Sequence, residues 1–277
     1  MVSLTLSEMA STRQEATHLG QRSPTTLGKG KNVHSLLAIA ATDSSGGAGL
    51  LADVQAFNRA GFYAQGVVSA ITAQNTKGIS AVTPTPLPTF VAQLEAVFLD
   101  IPIAAIKIGL LPTAEHICAV ADFLGDCDLP IVVDPVLSAT TGHTFHSEVS
   151  AYHRLFEVCT IATPNGAEAK RLFADTKPTC ATLVTGGDGE GVVSDTLTVP
   201  GKAPRAFEAT RIAGASPHGT GCLLSSLLTV ALAQGQSLEQ AVQMALSQTQ
   251  HAIRSASRLG DEANPAMGIT QQGFGKS

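Results

Sequence analysis

The segment richest in chemistry is Ser216-Pro217-His218-Gly219-Thr220-Gly221-Cys222, which runs directly into the apolar stretch that begins at Leu223. Gly219, Thr220 and Gly221 leave the first backbone N–H groups of the predicted helix unobstructed at the positive end of its dipole, an anion hole for a transferring phosphoryl group. Cys222 lies in the same turn, where the helix terminus is expected to lower a thiol from its usual pKa of about 8.5 and make it a base or a reactive group. A cysteine simply packed at a helix start fits the sequence as well.

Other candidate groups stand at the ends of predicted strands. Thr42-Asp43-Ser44-Ser45-Gly46-Gly47-Ala48-Gly49 is a glycine-rich turn that opens a helix and lets backbone approach a ligand, although a tight strand-to-helix turn needs glycine in any case. In Ala73-Gln74-Asn75-Thr76 the Gln74 amide offers paired donor and acceptor atoms to a planar heterocycle, or is an ordinary loop side chain. Asp134, in Val133-Asp134-Pro135-Val136, and Glu168, in Thr163-Pro164-Asn165-Gly166-Ala167-Glu168, supply carboxylates for Mg²⁺ phosphate, Glu168 acting through water. Asn165 and Glu168 equally read as a helix N-cap and its capping-box partner.

The elements that must position these groups alternate. Apolar strand candidates are Leu36–Ala41, Ala64–Thr72, Ala104–Ile108, Ile131–Val133, Thr160–Ala162 and Ala181–Val184. Between them lie amphipathic helix candidates Ala48–Ala60, Thr89–Leu99, Ala114–Leu124, Glu148–Val158 and Ala167–Phe173. Such alternation predicts an α/β protein with a mostly parallel central sheet, whose ligands gather outside the carboxyl ends of the strands. Gly191 to Ile212 predicts two short antiparallel strands, and helices over Gly221–Ala233 and Leu238–Arg258 follow. Residues 1–33, rich in Ser, Thr, Gly and charge, are expected to be a disordered extension, 34–260 the folded domain and 261–277 a tail.

Composition excludes several classes. A net charge of −5 and the lack of a dense Lys/Arg cluster argue against nucleic acid. The five cysteines are scattered without zinc-ligand spacing and fit a reducing cytoplasm. The apolar run from Leu223 is broken by Ser225, Ser226 and Thr229, so no membrane span is expected.

In this order, Thr42 to Gly49, Ala73 to Thr76, Lys107-Ile108-Gly109-Leu110-Leu111, Asp134-Pro135-Val136, Thr163-Pro164-Asn165 with Glu168, and His218 to Cys222 resemble the bacterial hydroxymethylpyrimidine/phosphomethylpyrimidine kinases. The resemblance spans roughly Leu36 to Leu259. It implies a ribokinase-like fold with helices on both sheet faces, usually a homodimer, that uses ATP and Mg²⁺ to phosphorylate 4-amino-5-hydroxymethyl-2-methylpyrimidine and then its monophosphate. By matching position, Gln74 would bond the aminopyrimidine, Leu110 and Val136 would enclose the ring, and Asp43 and Gly47 would complete that subsite. Gly219, Thr220 and Gly221 would form the anion hole beside Cys222, which stands where the wider class has an aspartate base. Asn165, Thr185 and Gly187 would contact the nucleotide.

The chain departs from that pattern in places. Ala41 replaces a common glycine, and Leu110 a frequent methionine. In Leu183-Val184-Thr185-Gly186-Gly187-Asp188, Thr185 and Asp188 stand where many relatives have Lys and His, which removes a positive charge from the nucleotide side. The short stretch from Phe173 to Thr185 leaves no room for a helix found in relatives. A pyridoxal kinase, or a pyrimidine-binding protein without turnover, remains compatible with these residues.

Overall fold

The structure is a computed structural model that describes residues 35–75, 77–138, 149–186, 192–210 and 218–256. The extension expected over residues 1–33, the tail over 261–277, and Gly187 and Asp188 lie outside the described residues.

Ten strands are described: β1 Ser35–Ala40, β2 Tyr63–Val68, β3 Ala70–Asn75, β4 Gly78–Pro84, β5 Ile103–Ile108, β6 Ile131–Val133, β7 Ile161–Ala162, β8 Ala181–Val184, β9 Val192–Thr198 and β10 Arg205–Thr210. The described helices are α1 Gly49–Arg59, α2 Leu87–Phe98, α3 Ala114–Phe123, α4 Ala151–Val158, α5 Gly166–Leu172, α6 Thr220–Ala233 and α7 Leu238–Arg254. No helix occupies the stretch between Leu172 and Ala181, in line with its length.

Eight strands form one sheet in the order β10-β9-β8-β7-β6-β5-β1-β2, parallel from β2 through β8, with β9 and β10 antiparallel. The apolar runs of the central strands are uninterrupted because both sheet faces are covered. Alternation along β1 shows this directly. Leu37 and Ile39 face a core completed by Phe90, Leu94, Ile117, Val120, Tyr152 and Phe156 from α2, α3 and α4. Leu36, Ala38 and Ala40 face Leu50, Phe57 and Val230 from α1 and α6.

One strand expectation is corrected. Ala64–Thr72 is not a single strand: β2 ends at Val68, and β3 pairs with β4 in a separate two-stranded antiparallel sheet. Ser69, fully buried, makes the break. Its N–H donates to Ala40 O at 3.0 Å and its hydroxyl to Leu110 O at 2.5 Å, after which the chain leaves the main sheet. The β4 segment was not anticipated. Its side chains are mostly exposed, so it carries little of the apolar alternation that marks a strand.

β1 connects through α1 to β2 on one side, whereas β5 connects through α3 to β6 on the other. The strand order therefore reverses between β1 and β5, and a crevice opens outside their carboxyl ends.

Candidate active site

Two glycine-bearing turns far apart in sequence meet over that crevice. Gly219, at φ 89°, is the N-cap of α6, and no described side chain caps that helix. A β-carbon at Gly219 would overlap the carbonyl oxygen of Gly47, and one at Gly49, at φ 57°, would overlap that of Ala41. Only glycine permits both the left-handed backbone and the contact. The turn at the head of α6 is thus pressed against the turn after β1, and its outer side lines a cavity.

Asp43 braces the β1 turn. Its Oδ1 accepts from Ser45 N at 2.9 Å and Ser45 Oγ at 2.7 Å, while its Oδ2 accepts from Ala48 N and His218 Nε2, each at 2.9 Å. Burial would raise Asp43, but the bonds from His218 and Ser45 hold it below the ordinary carboxylate value. His218 also meets the Gln74 amide, at 2.9 Å.

The cavity contains Asp43, Gln74, Leu110, Asp134, Val136, Asn165, Glu168 and Thr185, together with Gly219, Thr220, Gly221 and Cys222. Gly47 is set one layer back, touching Gly219 rather than the cavity, and Gly187 is outside the described residues. Leu110 packs with Ala41 and Ala70, and with Val82 and Val136, into a small apolar wall suited to a ring. Ile79, from the unanticipated β4, lines the same cavity.

On the other side, Asn165 caps α5. Its Oδ1 accepts from Ala167 N at 3.0 Å and Glu168 N at 2.9 Å, and Glu168 Oε2 accepts in return from Asn165 N at 2.9 Å. The capping-box reading is therefore realised, and both residues still line the cavity. Glu168 Oε1 also accepts from Leu137 N at 3.2 Å. Burial, then the neighbouring Asp134, pushes the Glu168 carboxyl up to about 7. Asp134 is raised as well, first by burial and further by Asp53, against the pull of Lys107.

The expectation for Cys222 is corrected. Burial, with Asp134 and Asp53 close by, pushes its thiol up to about 12, although Lys107 and the Gly49 N–H pull the other way. The helix terminus does not outweigh removal from water and two nearby carboxylates. The thiol keeps its proton, and Asp134 Oδ2 accepts from Ser225 Oγ at 3.3 Å.

Two residues went unassigned from sequence. Lys107, fully buried, pairs with Asp53 at 2.7 Å, and Ser226 Oγ donates to the other Asp53 oxygen at 2.7 Å. Burial alone would lower Lys107, but Asp53, Cys222 and Asp134 more than offset it, so the ammonium stays charged beneath the cavity. Its signal was a lone lysine in the apolar run of β5. His218 is the other, and its signal was its place beside the Gly-Thr-Gly turn.

The sequence model of the family described as phosphomethylpyrimidine kinase matches residues 43–267. The hydroxymethylpyrimidine/phosphomethylpyrimidine kinase of Rhizobium meliloti is 36% identical over 243 residues, which cover 80% of this chain and 91% of that protein. The crystal structure of phosphomethylpyrimidine kinase from Clostridium difficile superposes with a TM-score of 0.66 at 32% identity, covering 79% of this chain and 99% of that one. Pyridoxal kinase from Staphylococcus aureus, solved with AMP-PCP and pyridoxal, gives 0.75 at 26% identity, covering 85% and 93%. Among the described residues, no helix is long and apolar enough to cross a membrane.

Proposed function

The chain belongs to the phosphomethylpyrimidine kinase family, with its ribokinase-like fold, and from that membership we propose that it is a kinase of thiamine biosynthesis. It transfers the γ-phosphoryl group of ATP to the hydroxymethyl oxygen of 4-amino-5-hydroxymethyl-2-methylpyrimidine, and then to the resulting monophosphate. The observation that carries this reading is that the Gly219 to Cys222 turn and Gln74 line one cavity.

The pyrimidine lies against Leu110 and Val136 with its polar edge on Gln74, and its hydroxymethyl group reaches toward Cys222. The unobstructed N–H groups at the head of α6 take the charge that develops on the phosphoryl oxygens in an in-line transfer. Because that transition state is loose, the acceptor loses its proton late. At rest the Cys222 thiol is protonated, so Sγ accepts the acceptor's proton only as its own passes to an oxygen of the transferred phosphoryl group. Asn165 and Thr185, joined across an isolated bridge, border the nucleotide side.

Asp134 and Glu168 suit a hard divalent cation: both are oxygen donors at the cavity, and each is raised by burial and by a neighbouring carboxylate. Mg²⁺ held there with ATP would neutralise phosphate charge. We place the enzyme in the cytoplasm as a homodimer.

Coupled ATP turnover with hydroxymethylpyrimidine, its monophosphate and pyridoxal tests the reading. Turnover on both pyrimidines above that on pyridoxal is expected, and pyridoxal as the best acceptor would overturn it. Pyridoxal kinase is the second reading, favoured by the 0.75 TM-score but set against the higher identity, 36% and 32%, of the pyrimidine kinases.

A further inference from the structure

Gln74 and Asp43 share one nitrogen of His218. Gln74, drawn with its amide Nε2 on that side, and Asp43 Oδ2 are each 2.9 Å from His218 Nε2, which carries either a proton or a lone pair, and the two ends of an amide are told apart only by their hydrogen bonds. Asp43 settles which. Held below the ordinary carboxylate value, it is acceptor-only, so Nε2 must be the donor. That single N–H lies between Asp43 Oδ2 and Gln74 and is shared by both, so the amide is turned over from its drawn placement and the end facing His218 is the carbonyl oxygen.

The other end of the amide gives the same answer. Thr72 Oγ lies 3.3 Å from the end of the amide drawn as Oε1, but its proton is already committed to Thr42 O at 2.6 Å. Only a lone pair of Thr72 Oγ is left for Gln74, so the NH₂ belongs on that side. With His218 at the oxygen end and Thr72 at the nitrogen end, the edge between them presents an acceptor followed by a donor in one fixed order.

That order has a chemical meaning. A 4-aminopyrimidine offers a donor NH₂ next to an acceptor ring nitrogen, and its 4-oxo counterpart offers the reverse, an acceptor oxygen next to a ring N–H. Turning the amide over would exchange the two preferences. We propose that His218, held by Asp43, is a positioning residue that locks the Gln74 amide in one orientation and so makes the pocket select a 4-amino over a 4-oxo pyrimidine ring. The inference rests on Gln74 as the contact to the ring.

The test is titration calorimetry, without nucleotide, of 5-hydroxymethyl-2-methylpyrimidine bearing either a 4-amino or a 4-oxo group. The wild-type chain should prefer the amino compound by about 30-fold, the size of one edge mispaired in a buried site. His218→Ala, or His218→Phe, which keeps the bulk without the N–H, should reduce the ratio to about 3-fold or less, with the 4-oxo compound gaining affinity. His218→Gln, whose amide restores a donor, should recover the preference. Gln74→Leu should weaken the amino compound in any background. An unchanged ratio in both donor-less variants overturns the inference and leaves the Gln74 reading standing. Unchanged amino binding in Gln74→Leu removes that reading, and the inference with it.

Discussion

Gly219 touches Gly47 backbone to backbone, without space between them for a single β-carbon. A contact of that kind fixes two remote turns against each other and aims the head of α6 at the cavity. Gly219→Ala must move one turn or abandon the left-handed φ of 89°. Its cost in stability should be about 1–3 kcal/mol from backbone strain alone. Turnover should fall by at least about 100-fold, as for removal of an anion-hole donor. Thermal melting and steady-state kinetics on the same preparation check both.

A half-buried thiol shifted upward predicts slow chemistry at neutral pH. Below about 12 the Cys222 thiolate is the minority form, so alkylation by iodoacetamide at pH 7 should lag well behind a free thiol and should still be rising above pH 9. Cys222→Ala should lower kcat by about 10²–10⁴-fold with ATP affinity retained. A near-normal kcat in that variant would remove the sulfur from proton transfer.

The Lys107–Asp53 pair predicts non-additive stability. Both side chains are fully buried, so Lys107→Met or Asp53→Asn alone leaves an uncompensated charge, costing about 3–5 kcal/mol. The double variant should recover much of that loss. Urea unfolding of the three variants measures the coupling, and simple addition of the single losses would show that the pair acts independently.

Glu168 predicts a fall in stability toward neutral pH. Its carboxyl is raised from the ordinary 4.5 to about 7 in the fold, so the native chain holds a proton that the unfolded chain has released. Stability from this group is complete below pH 4.5 and is lost as pH rises through 7. Glu168→Gln, which keeps the capping-box geometry, should flatten the melting temperature over that interval.

Much of the sheet was legible because the parallel strands are buried on both faces, and runs such as Leu36 to Ala40 can be little else. The β2 to β3 junction was not legible. A single serine separates two strand-forming segments, and what ends the strand is a set of hydrogen bonds from Ser69 to Ala40 and Leu110 that depends on the finished fold. The cavity residues were readable as loops after strands, since topology gathers those loops at one edge. The thiol's acidity was misjudged because the helix terminus is local, whereas Asp53, Asp134 and the surrounding burial come from other elements. His218 escaped assignment for the same reason: its partners Asp43 and Gln74 are 175 and 144 residues away in the chain.

The central claim is that the head of α6 holds the phosphoryl group beside a ring bound on Gln74. A crystal structure of the ternary complex with hydroxymethylpyrimidine and a non-hydrolysable ATP analogue tests it most directly. The account predicts the terminal phosphate within hydrogen-bond reach of the Gly221 and Cys222 N–H groups, with the hydroxymethyl oxygen between it and Cys222 Sγ. A terminal phosphate bound away from that turn, or a pyrimidine that does not touch Gln74, would contradict it.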